Sequence, residues 1–178
     1  MSTTLESAST LLVVLQPCKI PYSCRWHVGA RSVDLPGHIR DNLEESFNVN
    51  VLGVHWTTQA FLPLLKAAID ATVIMVSSGL GSLGWLSDPS NQFHGVNILG
   101  YNSSKTALNA VTVAFAKELA ACGITVNAAD PGYTATDFNG HSGYRTVEQA
   151  AAGIVWLATR TGRNMTGRFY FDQNEVPW

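Results

Sequence analysis

Cysteine is scarce in this chain. Cys18, Cys24 and Cys122 are odd in number and show no CxxC spacing, so no disulfide framework is expected. Cys18, Cys24 and His27 fall short of the four ligands at paired spacings that a structural zinc site uses, and no metal site is predicted. Charge is sparse as well. Charged residues make up 13% of the chain and the formal net charge is −2. Lys and Arg are scattered, with no basic patch for nucleic acid and no polybasic run for a membrane surface. No apolar stretch reaches the roughly 18–20 residues that span a bilayer. The opening MSTTLESASTLLVVLQPCK has no basic start, carries Glu6 and offers only LLVVL as an apolar run, which is short for a secretory leader. These absences predict a cytoplasmic protein with neither nucleic acid nor membrane as a partner.

What remains is the composition of a chain that buries a core. Its 178 residues suit one domain. Hydrophobic residues are 46% of them, unlike the low hydrophobicity and high net charge of disorder. Residues 38–67 carry Leu43, Phe47, Val51, Val54, Thr58, Phe61 and Leu65 at spacings of three and four, which predicts one long amphipathic helix. Residues 101–121 repeat the pattern with Leu108, Val111, Phe115 and Leu119, and Gly123 lies just beyond. A third helix is predicted over 146–160. TVIMVSS at 72–78 and ITVNAA at 124–129 are short, nearly continuous apolar runs, as in strands buried on both faces. GRFYF at 167–171 predicts a last strand. Strand alternating with helix predicts an α/β domain with a parallel sheet. Residues 79–100 and 130–145 read as loops. Residues 1–37 differ: STLLVVLQ suits a strand, but PCKIPYSCRWHVGARSVDLPG has no helical or strand period.

GLGSLG at 79–84 has the spacing of a dinucleotide cradle and follows a predicted strand. A cradle also needs a helix opening on its glycines, so that N–H groups meet the pyrophosphate, and an acid about 20 residues on for the ribose. Here the glycines run into WLSDPSNQFHG, which lacks a helical period, and positions 97–104 hold no acid. The stretch is expected to be a flexible turn by which a loop leaves the sheet edge.

YNSSK at 101–105 carries more chemistry. Tyr101 and Lys105 are spaced i, i+4, on one face of the predicted helix. An ammonium beside a phenol favours the phenolate and equips Tyr101 as a general acid or base near neutrality. The same spacing also fits a core tyrosine and a surface lysine. Ser78 ends a predicted strand, where parallel sheets place ligand sites, and a hydroxyl there can meet a carbonyl oxygen. Asn50 sits among valines in a helix, against its propensity. It either binds a water or a carbonyl there, or occupies the exposed face. DPG at 130–132 ends the next strand and turns the chain outward at the same edge.

In chain order, NVLG at 50–53, VSSGLGSL at 76–83, YNSSK at 101–105 and PGYTAT at 131–136 resemble the Asn, Ser, Tyr-Lys and Pro-Gly motifs of the short-chain dehydrogenase/reductase family. The resemblance covers about residues 40–178, and the closing EVPW is similar to the end of such proteins. It implies a Rossmann-like doubly wound parallel sheet. It also implies an NAD(P)-dependent oxidoreductase that interconverts a carbonyl and an alcohol. On that pattern Tyr101 is the general acid in reduction, and Lys105 lowers its pKa and holds the nicotinamide ribose. Ser78, with Ser77 as the neighbouring candidate, orients the carbonyl, and Asn50 anchors a proton-relay water. Cofactor contacts are implied for Tyr101, Lys105, Pro131, Gly132, Thr134 and Thr136, the two threonines toward the nicotinamide. Loops 79–100 and 133–145 would line the substrate pocket with Trp85, Phe93, His94, Tyr133 and Phe138. The stretch between Ser78 and Tyr101 is wide for the family and implies an inserted substrate loop. The family's dimers and tetramers imply a homo-oligomer formed through helices 38–67 and 101–121.

The family's TGxxxGxG turn after the first strand and its NNAG-type motif after the fourth do not occur in the sequence. A mononucleotide-binding half is βαβαβ, more than residues 1–37 can hold. The expectation is therefore an atypical segment at 1–37 and, over 38–178, the C-terminal part of a single domain with an incomplete nucleotide-binding half. Two functions compete. One is an oxidoreductase using NAD or NADP. The other is a truncated, non-catalytic relative that lacks cofactor binding and pairs with full-length subunits. Missing central strands would open an edge and an apolar face, so the chain alone is expected to be marginally stable or prone to aggregate.

Overall fold

The apolar runs become neighbouring strands of one sheet, and the amphipathic stretches become the helices that cover it. The computed structural model describes residues 10–15, 38–160 and 164–178; Cys18, Cys24 and His27 lie outside the described residues. The strands are β1 (Thr10–Leu15), β2 (Asp70–Val76), β3 (Thr125–Asp130), β4 (Phe169–Phe171) and β5 (Asn174–Glu175), side by side in that order. The first four are parallel, and β5 folds back antiparallel on β4. The strand expected within STLLVVLQ is β1, with Thr10 opposite Asp70. β2 stops at Val76, two residues before the predicted end, so Ser77 and Ser78 begin the following loop. β3 runs one residue further than expected and includes Asp130.

Period-two alternation sends side chains to both faces of the sheet. Val13, Ala71, Val73, Met75 and Val126 pack with Leu65, Leu108, Phe115 and Leu119 on one side. Ile74, Ala129 and Tyr170 pack with Leu157 and Ala158 on the other. This is the Rossmann-like, parallel-dominated α/β arrangement the sequence predicts. The helices are α1 (His38–Phe47), α2 (Val54–Ala67), α3 (Leu83–Ser87), α4 (Leu99–Leu119) and α5 (Val147–Thr159).

The single helix predicted over 38–67 is in fact α1 and α2 joined by a π-helical turn, Asn48–Gly53. The cause lies in the spacing of the buried residues. Ser46, Asn50, Val54 and Thr58 are buried at every fourth position. With 3.6 residues per turn such a set drifts steadily around an α-helix, and one wider turn absorbs the excess. Asn50 and Val54 therefore stay on the face turned to α4. The same register leaves Phe61, which the stripe predicted inside, 40% exposed; Leu62 and Leu65 pack in its place.

The loop predicted over 79–100 is more ordered than expected. Gly79–Gly81 is a 3-10 turn with all three residues buried, and α3 follows. The reading of GLGSLG as a flexible turn is thus corrected. A Cβ on Gly79 would lie 2.6 Å from the Phe93 ring, and one on Gly81 would lie 2.8 Å from the Lys105 backbone. The glycines are there for close packing, and protein atoms fill the space beside them. Ser82 caps α3 by accepting the Trp85 N–H at 3.1 Å and donates to the Pro177 carbonyl at 2.7 Å. The Gly84 N–H donates to the Trp178 carbonyl at 2.8 Å. Trp178 in turn stacks on buried Phe169. The last residues therefore strap α3 to the sheet.

Candidate active site

β2 and β3 end at the same edge of the sheet, and α4 begins above it. Parallel sheets place their ligand sites at such edges. Tyr101 is the third residue of α4, which starts two residues earlier than predicted. Lys105, one turn on, is 3% exposed. Its Nζ donates to the carbonyl of Val76, the last residue of β2, at 2.8 Å and lies 5.7 Å from the centroid of the Tyr101 ring. The alternative of a surface lysine is excluded by this burial. Desolvation pulls the Lys105 pKa down to about 7, and the carboxylate of Asp130 draws it back up.

Of the two serines, Ser77 is committed to structure. It is buried, donates from Oγ to Asn109 Oδ1 at 2.6 Å, and hydrogen-bonds through its N–H to the Ala129 carbonyl. Ser78 is half-buried and accepts the Leu80 N–H at 3.2 Å, which leaves its hydroxyl proton to donate. Asn50 is 1% exposed, so the alternative of an exposed polar position is excluded. Its Nδ2 donates to Ser104 Oγ at 2.8 Å, and Ser104 donates to the Tyr101 carbonyl at 2.8 Å. The π-helical turn is thus tied to the first turn of α4. Oδ1 of Asn50 is buried and has no hydrogen-bond partner among the described residues.

Pro131 and Gly132 turn the chain out of β3, with Gly132 at φ +71°. Thr134 spends its hydroxyl on that turn, donating to the Gly132 carbonyl at 3.1 Å. Thr136 heads a 3-10 turn at Asp137–Asn139 in a reciprocal capping arrangement. Both threonines lie beside the edge with their hydroxyls engaged locally. Trp85 and Phe93 pack together at 5.5 Å, and Trp85 reaches Phe169. His94 is exposed and bonded to the Leu86 carbonyl. Tyr133 pairs with Ser142 and lies 6.4 Å from the Tyr144 ring. The Phe138 side chain lies outside the described residues. A separate depression of about 500 Å³ lies beside Arg145, Gln149 and Asp172, away from Tyr101.

Sequence reasoning missed Ser104, Thr106, Asn109 and Asp130. Asn109 and Thr106 both donate to the Gly81 carbonyl, at 3.1 and 3.0 Å, and so hold the post-β2 loop to α4. A signal for Asn109 was present: Tyr101, Lys105 and Asn109 form an i, i+4, i+8 polar row along the helix. Nothing local marks Asp130, which reads as an ordinary turn acid before Pro-Gly.

A family model described as short chain dehydrogenase matches residues 30–145. The short-chain dehydrogenase anuI of Penicillium roqueforti is 34% identical over 151 residues, which are 82% of this chain and 60% of that protein. The 1-hydroxy-2-glutathionyl-2-methyl-3-butene dehydrogenase of a Rhodococcus species is 33% identical over 183 residues, covering 99% of this chain and 77% of that protein. The NADPH-bound carbonyl reductase from chicken fatty liver shares the fold, with a TM-score of 0.67 at 23% identity over 85% of this chain and 62% of that one. This chain thus spans about three fifths of the length of the first of these relatives.

Proposed function

The chain belongs to the short-chain dehydrogenase family, and from that premise we propose that it is an NAD(P)-dependent oxidoreductase interconverting a carbonyl and an alcohol. The observation that carries this reading is Lys105, buried and fixed on the end of β2 beneath the Tyr101 ring. In reduction Tyr101 gives its phenolic proton to the carbonyl oxygen. Lys105 stabilises the phenolate left behind and changes its own charge near neutrality. Ser78, with a proton to donate, orients the carbonyl. The unpartnered Oδ1 of Asn50 is the acceptor that a relay water needs.

Tyr101 and Lys105 are the donors that suit the ribose–nicotinamide end of a dinucleotide, at the edge where the Pro131–Gly132 turn emerges with Thr134 and Thr136 beyond it. GLGSLG does not fit the pyrophosphate, because protein atoms fill the space at Gly79 and Gly81. When bound, the nicotinamide supplies the hydride. We place the substrate, a small carbonyl or alcohol, between the loops after β2 and β3. A homo-oligomer is proposed through the helical faces that carry Leu52, Trp56 and Leu64, which are 40%, 61% and 58% exposed. No helix among the described residues is long and apolar enough to cross a membrane, and a cytoplasmic setting is proposed.

Two measurements test this function. Titration with NADH and with NADPH, followed by energy transfer from tryptophan, is expected to saturate. Absence of binding by the folded chain would overturn the oxidoreductase reading in favour of a non-catalytic relative. Tyr101→Phe is then expected to lower turnover by about 10²–10⁴-fold at saturating cofactor; undiminished turnover would remove Tyr101 from the chemistry.

A further inference from the structure

Asp130 is a buried carboxylate to which the family motifs give no role. It is 6% exposed and ends β3 at the edge where the Ser78 loop and the Pro131–Gly132 turn emerge. Alternation along β3 puts it on the same face as Val126, the face covered by α4. Its Oδ1 accepts the Gly132 N–H at 2.8 Å. Its Oδ2 lies against Gly79, 2.9 Å from where a Cβ there would stand, and the Gly79 backbone N–H helps draw the carboxyl toward its charged form. One carboxylate therefore joins the turn after β3 to the residue that follows Ser78. Lys105 lies within Coulombic reach of it. Its Nζ is anchored on Val76, which is paired with Ala129, the residue before Asp130.

The other charged and titratable groups around the pair are few. Arg145 acts on Asp130 from the loop before α5, but its guanidinium is committed to both oxygens of Asp172, at 2.5 and 3.0 Å. Tyr101 is the neighbour of Lys105 on α4. Among the described residues, Asp130 is the carboxylate that acts on Lys105.

We propose that Asp130 is a positioning residue of this site: its carboxylate clips the Ser78 loop to the Pro131–Gly132 turn and serves as the counter-ion that keeps Lys105 charged beneath Tyr101. The inference rests on the reading of Tyr101 and Lys105 as the proton-transfer pair. A buried charge without an opposite partner is strongly disfavoured. Burial pushes Lys105 down and Asp130 up, and each draws the other back toward its charged form. Removing the negative charge shifts Lys105 further toward the neutral amine, and Tyr101 loses part of the cation that favours its phenolate.

The test is Asp130→Asn, which keeps an oxygen for the Gly132 N–H and removes the charge. The chain has four lysines, Lys19, Lys66, Lys105 and Lys117. With ¹³Cε-labelled lysine, the Lys105 signal is the one lost in Lys105→Met. Its titration midpoint, about 7 in the unaltered chain, is expected to fall by about one unit or more in Asp130→Asn, with the other three lysines unmoved. An unmoved Lys105 midpoint in the folded variant overturns the proposal. Should the variant fail to fold, the unaltered chain carries the test: the Asp130 ¹³Cγ shift must step at the Lys105 midpoint, as coupled groups do, and a flat trace there overturns it. Neither readout needs cofactor or turnover. A shifted midpoint in a chain that binds no cofactor would keep the Asp130–Lys105 pairing and remove the catalytic reading. In an active chain the same variant raises the pH at which alcohol oxidation reaches its plateau.

Discussion

Lys105 places an ammonium where the fold offers it one carbonyl, one carboxylate and little water. Its folded pKa of about 7 lies below the 10.5 of a free lysine. Between those values the unfolded chain binds more protons than the folded one, so this group's contribution to stability rises with pH across that window and is least favourable below it. Asp130 works in the opposite sense. Its raised carboxyl means the folded chain holds the extra proton above 3.8, so its contribution falls as pH climbs from there through the folded value. Lys105→Met removes the first effect and takes the counter-ion from Asp130 only below about pH 7, where Lys105 is charged. Relative to the parent, the variant is expected to gain most in thermal stability below about pH 7 and to lose that gain progressively as pH rises toward 10.5. A gain that grows with pH in melting experiments would contradict the burial of Lys105. The Tyr101–Lys105 pair was legible because helical spacing alone puts i and i+4 on one face. The partners Asp130 and Val76 were not, because they reach the pair from strands distant in sequence.

The π-helical turn and the glycine-rich turn both show elements shaped by what they pack against. Periodicity announced a helix over 38–67, and a helix is there. The wide turn was hidden because spacings of three and four look alike in a polar-apolar pattern, whereas the buried four-residue series of Ser46, Asn50, Val54 and Thr58 appears only once α4 is in place. The glycine spacing of 79–84 fits a cradle in sequence and a close-packed turn in three dimensions. These uses separate experimentally. Gly81→Ala sets a methyl against the Lys105 backbone, 2.8 Å away, and is expected to cost about 1–3 kcal/mol of stability in the cofactor-free chain. A cradle glycine would instead lower dinucleotide affinity and leave the melting of the free chain almost unchanged. Calorimetry with and without NADPH distinguishes the outcomes.

At the scale of the whole molecule, the sheet is covered on both faces yet keeps surfaces open. Among the described residues β1 pairs with β2 alone, and Val14 on it is 41% exposed. Such an edge favours further pairing, so thermal unfolding of the isolated chain is expected to depend on protein concentration. Trp56 and Leu64 add an apolar patch to α2, 61% and 58% exposed. If that patch is the oligomer interface, the chain runs in solution at a multiple of its 19.2 kDa. Trp56→Glu then reduces it to the monomer mass by light scattering, with the helical signal retained. An unchanged mass in that variant would place the contact elsewhere.

The sequence by itself determined the α/β class, the strands of the parallel sheet and the order of the Asn, Ser, Tyr and Lys motifs. Each of these depends on local period or on neighbours within one helix. Only the tertiary structure decided that Ser77 is tied to Asn109 while Ser78 keeps a proton to give, that Asn50 rides on a π-helical turn, and that Lys105 is anchored on Val76 within Coulombic reach of Asp130. Those relations join residues tens of positions apart, and the packing of α4 across the ends of β2 and β3 is what brings them within hydrogen-bonding and Coulombic reach.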